Sequence, residues 1–95
     1  MENKIVVATK MLARSDVEDK PRILQVIYES FGKECEIFFI QALEDENYKV
    51  RISAMDILLE LHKEDAIQFI EPLVEDQNFW VRRHAKKLIT KISNN

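Results

Sequence analysis

The stretch LEDENYKVRISAMDILLEL, residues 43–61, returns 31 residues later as VEDQNFWVRRHAKKLITKI, residues 74–92. Glu44/Glu75, Asp45/Asp76, Asn47/Asn78, Val50/Val81, Arg51/Arg82 and Ala54/Ala85 are identical between the copies. Tyr48/Phe79 and Ile57/Leu88 keep their kind. Repetition at a fixed spacing of this length marks stacked helical hairpins, each too small to bury its apolar face alone and stable only against a neighbour.

Outward from these copies, the same register reaches the segment before each one. Phe38, Phe39, Ala42 and Leu43 have the spacing of a buried helical stripe, and Phe69, Ile70, Leu73 and Val74 repeat it. Val7, Ala8, Met11 and Leu12 place it once more near the start of the chain. The expected fold is therefore an all-α solenoid of three helical hairpins, about six helices, in a single domain over 1–95 with units at about 4–31, 34–62 and 64–92. Pro21 suits a first helical position, with Asp19 able to cap, and Gly32 suits the left-handed residue that ends a helix. Asn47 and Asn78 are the expected N-caps of helices starting at Tyr48 and Phe79. The first helices of units two and three are expected over about 34–44 and 64–75, with Pro72 loosening the latter because it lacks a backbone donor.

The bulk composition agrees with this reading. With 46% apolar and 33% charged residues, one glycine and two prolines, the chain suits helices and a single core better than the many turns of a β fold. A net charge of −3 gives no general attraction to nucleic acid or to an anionic membrane surface. The single cysteine, Cys35, makes no internal disulfide, which points to a reducing, cytoplasmic location. No apolar run approaches the roughly 18 residues of a membrane span.

The pattern L-x-D-x-N-x-x-V-R-x-x-A-x-x-L is carried by Leu43, Asp45, Asn47, Val50, Arg51, Ala54 and Ile57. Val74, Asp76, Asn78, Val81, Arg82, Ala85 and Leu88 carry it again. It resembles short bacterial HEAT-like repeats of the PBS-lyase type, which also often carry a proline where Pro72 stands. The resemblance implies a right-handed α–α superhelix. It also implies a structural ladder of turn-to-turn hydrogen bonds from Asp45, Arg51, Asp76 and Arg82. In the first unit Arg14 stands at the turn aspartate and Asp19-Lys20 at the Val-Arg pair, so the motif is absent there.

The differences between copies predict where the stack ends. Ile52, Met55 and Leu59 give the middle unit a second apolar stripe, replaced in the last unit by Arg83, Lys86 and Thr90. Ile37 and Ile40 likewise become Gln68 and Glu71. A terminal repeat with a polar outer side keeps such a stack soluble, so the array is expected to stop at Asn95. Ile5 and Val6 have no obvious cover, which leaves a monomer or a weak end-to-end dimer as the expected states.

Once the stripes are removed, each second helix keeps one further face: Arg22, Gln25 and Glu29; then Lys49, Ser53, Asp56 and Glu60; then Trp80, His84, Lys87 and Lys91. Second helices line the concave side of helical solenoids, so the row from Lys49 to Lys91 is the candidate partner-binding surface. Trp80 stands out because it replaces a lysine on an otherwise polar ridge, and large aromatics anchor interfaces. The alternative is that it folds over the open end of the stack. The row is also electrically lopsided: residues 33–64 hold eight acids against four bases, whereas helix six carries Arg82, Arg83, Lys86, Lys87 and Lys91 with no acid.

Signals for chemistry are poor. His62 and His84 fall in different units with no cysteine or histidine at metal-ligand spacing, and one glycine permits no phosphate-cradling loop. Cys35 reads as a buried thiol, and Glu44-Asp45-Glu46 as solvated turn charge. No catalytic residue, metal or cofactor is therefore expected. The leading reading is a non-catalytic scaffold module that binds a protein of unknown identity, with no membrane association and nucleic acid not expected. The alternatives are an accessory or lyase-type subunit, from the likeness to bilin-lyase HEAT-like proteins, and weak nucleic-acid binding through the basic last helix.

Overall fold

Residues 3–94 are described by the computed structural model, and among them every regular element is helical. Four α-helices reach ten residues or more: α1 (Lys4–Ala13), α2 (Lys20–Phe31), α4 (Tyr48–His62) and α6 (Phe79–Ser93). Between them lie the shorter α3 (Glu36–Ala42) and α5 (Ile67–Ile70), each extended by 3₁₀ turns. The expected helices over 34–44 and 64–75 are thus only partly α-helical. In the third unit the cause is visible, since Pro72 cannot donate to the carbonyl of Gln68 and the chain tightens into a 3₁₀ segment, Glu71–Glu75.

Each hairpin packs on the next: α2 lies against α4, and α4 against α6. The molecule is accordingly elongated, 42 × 24 × 17 Å. One column, Ala8, Phe39 and Ile70, is completely buried in all three units and forms the axis of the first-helix layer. In the second-helix layer Val50 and Val81, and Ala54 and Ala85, are equally enclosed. The middle unit buries both sides of its second helix, because Met55 and Leu58 on the far side are also fully covered.

The two outer units each lose one of those sides. In unit one the positions matching Ala54 and Ile57 are Ile23, half-buried, and Val26, exposed. In unit three the positions matching Met55 and Leu59 are Lys86 and Thr90, both exposed. Some details of the second stripe differ from expectation. Ile52 and Leu59 are only half-buried, and Leu58, which the spacing argument passed over, is enclosed instead. Ile37 is 58% exposed, because it sits in the first turn of α3 on a side that no neighbouring hairpin covers. Asn95, where the array is expected to stop, lies outside the described residues.

The asparagine caps form in units two and three, whereas unit one repeats only the backbone conformation of the helix start, and Asp16 makes no side-chain cap. Asn47 accepts from Lys49 N at 2.9 Å, and Asn78 accepts from Trp80 N at 2.8 Å. In unit one the helical path starts earlier than Pro21, with a 3₁₀ turn at Val17–Asp19 leading into α2. Asp16 has the extended backbone of that start, φ −65° and ψ 151°, and lies 31 residues before Asn47. Asp19 makes no side-chain cap.

The C-terminal end of the second helix also repeats. Gly32 has φ 55°, ψ −135°, and Lys63, one period later, has φ 52°, ψ −127°. Glycine reaches this region freely, whereas a residue with a Cβ is strained there by about 1–3 kcal/mol. Lys63 is therefore held in place by the packing on either side of it. Lys63→Gly should raise stability by about 1 kcal/mol, the relief of strain exceeding the entropy gained by the unfolded chain. Gly32→Ala should lower it by at least as much, although open space surrounds the added methyl. Urea denaturation checks both, and an unchanged or lower midpoint for Lys63→Gly would contradict the strain.

Candidate functional site

The side chains of the expected row project from α4 and α6. Lys49, Asp56, Glu60, Trp80, Lys87 and Lys91 are exposed, and Ser53 and His84 are half-buried. Arg22, Gln25 and Glu29 are exposed on α2. Asp56 and His84 meet across the two helices, with Oδ1 2.7 Å from Nε2, and tie the row together at its centre.

On one side of this pair, Trp80, His84 and Lys87 join Ile52 and Arg83 around a recess of about 220 Å³. On the other, Glu60 and Lys91 join Leu59, Lys63, Glu64 and Ile92 around an open cleft of about 430 Å³. The apolar floors of these depressions, Ile52 and Leu59, carry no signal in the sequence that separates them from core. Their half-burial is what allows both roles. Lys49 and Ser53 line neither depression, and the Lys49 Nζ lies 6.0 Å from the Tyr48 ring.

Trp80 is 52% exposed and lines the recess floored by Ile52. Its ring stacks edge-on against Phe79 at 5.0 Å, and the Arg83 guanidinium lies 5.7 Å from its centroid. A tryptophan held on two sides offers a rigid face at little cost in conformational freedom, the property that makes aromatics effective interface anchors.

The turns are joined by a buried charge pair. Arg51 donates from Nε and Nη2 to the two carboxylate oxygens of Asp76, both at 3.0 Å, and its Nη1 donates to the carbonyls of Asp45 and Glu46 at 2.7 and 3.2 Å. The two side chains are only 7% and 10% exposed. Arg82 repeats the inner part of this arrangement, donating from Nη1 to the Asp76 carbonyl at 2.9 Å. Asp45 and Asp76 each accept from the backbone N–H two residues on, at 2.8 Å, which fixes the caps Asn47 and Asn78. Asn47 in turn donates to the Val17 carbonyl at 3.2 Å and links the first turn to the second.

Burial pushes the Asp76 carboxyl upward, but the hydrogen bonds from Arg51 and Asn78 and the charges of Arg51 and Arg82 outweigh it and hold it below the usual carboxylate range. Other titratable groups are placed without any constellation for catalysis. Burial pushes the Cys35 thiol up, away from thiolate reactivity. His62 Nε2 and Glu36 Oε2 lie 3.1 Å apart at an angle that makes no hydrogen bond, and the His62 ring packs 5.3 Å from Phe69. Among the described residues no group of three or more His, Cys, Asp or Glu is placed to hold a metal. No helix among them is long and apolar enough to cross a membrane.

The depressed carboxyl of Asp76 fixes the sign of an acid effect. A group whose folded pKa lies below its unfolded value stabilises the fold above the unfolded pKa, about 3.9, and that stabilisation is lost as pH falls through the folded value. Native stability should therefore drop on acidification below about pH 4. Asp76→Asn should be less stable near neutrality and should show a flatter dependence over that range. Urea midpoints measured as a function of pH check this, and parallel curves for the two proteins would contradict it.

A family model for HEAT repeats matches residues 38–95. No curated protein and no solved structure matches the chain. The match covers more than half of the sequence and coincides with the two units that carry the Asp–Arg turns. The chain belongs to the HEAT-repeat family.

Proposed function

We propose that the protein is a non-catalytic interaction module that holds a segment of a partner protein along the α4–α6 ridge. HEAT repeats generally mediate protein–protein contacts. In this reading the three units follow a right-handed α–α superhelix with α2, α4 and α6 on its concave side. The observation that carries it is the half-exposed Trp80 beside the recess floored by Ile52. An aliphatic or aromatic side chain of the partner would enter that recess against the indole. The Asp56–His84 pair marks the middle of the contact, and Glu60 and Lys91 line the far cleft with opposite charges. Mixed charge along one ridge favours a partner of mixed charge and sets its register more than its affinity. The buried Cys35 fits a reducing compartment such as the cytoplasm, and a monomer is the working state.

The test compares the native protein with Trp80→Ala/Lys87→Glu as bait in cell extract. Both residues are exposed, so the variant should lose no more than about 1 kcal/mol of stability and remain folded. It should lose at least one protein that the native bait captures. Identical captured sets would contradict the proposal. Retention of a bilin by the purified protein would instead favour an accessory or lyase-type subunit. Duplex DNA binding at physiological salt would favour a nucleic-acid role for α6.

A further inference from the structure

The arginine of the second unit gives a reference for its counterpart in the third. In unit two, Arg51 spends one guanidinium nitrogen on its own turn and the other two on Asp76 of the following turn. Arg82 stands at the same position one period later and makes the same contact to its own turn, through Nη1. Its Nε and Nη2 have no partner among the described residues, and the side chain is half-buried where Arg51 is enclosed. Phe79, in the place of the half-buried Tyr48, is 54% exposed beside it. Phe79, Arg82, Arg83 and Lys86 together line a cleft of about 240 Å³ that contains no acidic side chain.

We propose that this cleft binds a carboxylate presented from a turn of an acidic partner segment, in the manner in which Asp76 binds Arg51. The cleft adjoins the α4–α6 ridge through Arg83, which lines both, but its chemistry centres on Arg82 and does not depend on the role proposed for the ridge. The chemistry of the occupant is read from the internal copy: a planar guanidinium fork, fixed on one side by a backbone carbonyl, matches the two oxygens of a carboxylate. The surrounding Arg83 and Lys86 complement an acidic segment, and the Phe79 ring gives the neighbouring residue of that segment an apolar seat. A second copy in the same register fits poorly, because unit one carries Arg14 where the turn aspartates stand. The fork also suits phosphate, but the arrangement it repeats is one made to a carboxylate, and the chain's net charge is −3.

The experiment titrates the full chain with two hexapeptides copied from residues 73–78, one native (LVEDQN) and one carrying Asp76→Asn, following the Arg82 Nε–H and Phe79 ring signals by NMR. The native peptide should shift both signals saturably at millimolar concentration, and the Asn peptide should bind about tenfold more weakly. Arg82→Lys should keep the fold, since Lys20 occupies this position in unit one and donates to the Leu12 carbonyl at 2.9 Å. With the charge kept and the fork lost, it should also bind the native peptide about tenfold more weakly. Unmoved Arg82 signals, or equal affinities for the two peptides or for the two proteins, would overturn the proposal. So would a dimer abolished by Arg82→Lys in sedimentation, which would assign the face to a second copy, or tighter binding of a duplex oligonucleotide than of the peptide.

Discussion

Everything in this small stack is referred to one buried charge pair, Arg51 with Asp76. An arginine side chain that is 7% exposed is tolerable only if its donors are satisfied, because the desolvation of an unpaired ion costs several kcal/mol. Arg51 meets that condition by joining the carbonyls of its own turn to the carboxylate of the next, 25 residues on, and through that carboxylate to the N–H of Asn78. The pair therefore sets the distance and angle between the start of α4 and the start of α6. Apolar contacts supply most of the stabilisation. The pair selects one arrangement among the many that two greasy hairpins could adopt.

The surfaces available for binding are the places where the three units cease to be alike. Trp80 stands where the preceding unit has Lys49, and Arg83 where it has Ile52, so the α4–α6 junction gains an aromatic wall and a cation at a point where the interior pattern called for neither. The Asp56–His84 contact links the same two helices at the surface. The outer end of unit three keeps an arginine whose counterpart one unit earlier is fully engaged. Departures of this kind cost a repeat protein little stability, since each unit contacts only its neighbours. They leave the interior unchanged while changing what the exterior can hold.

The 31-residue echo made the architecture legible, and it did so because the turn chemistry and the apolar spacing repeat together. Helix α4 and the caps at Asn47 and Asn78 could be placed from the residues alone. The first helices of units two and three could not be bounded, because the alternation of α and 3₁₀ geometry depends on how a positive-φ residue and Pro72 are accommodated, which spacing does not encode. Asp16 was overlooked as the start of the second helical path because Pro21 is the louder signal. Helical periodicity puts the row on one ridge, with Ser53 and His84 half-buried and its other members exposed. It does not give the division into two depressions, since that depends on how far Ile52 and Leu59 stand clear of the neighbouring helix.

A double-mutant cycle on Arg51 and Asp76, using Arg51→Met, Asp76→Ala and the combined variant in urea denaturation, tests the central claim most directly. The account predicts that each single change costs about 3 kcal/mol, that the double variant costs far less than their sum, and that the coupling is at least about 2 kcal/mol. Additivity to within about 0.5 kcal/mol would contradict it, because the two residues would then be neighbours in space without determining how the second and third units meet.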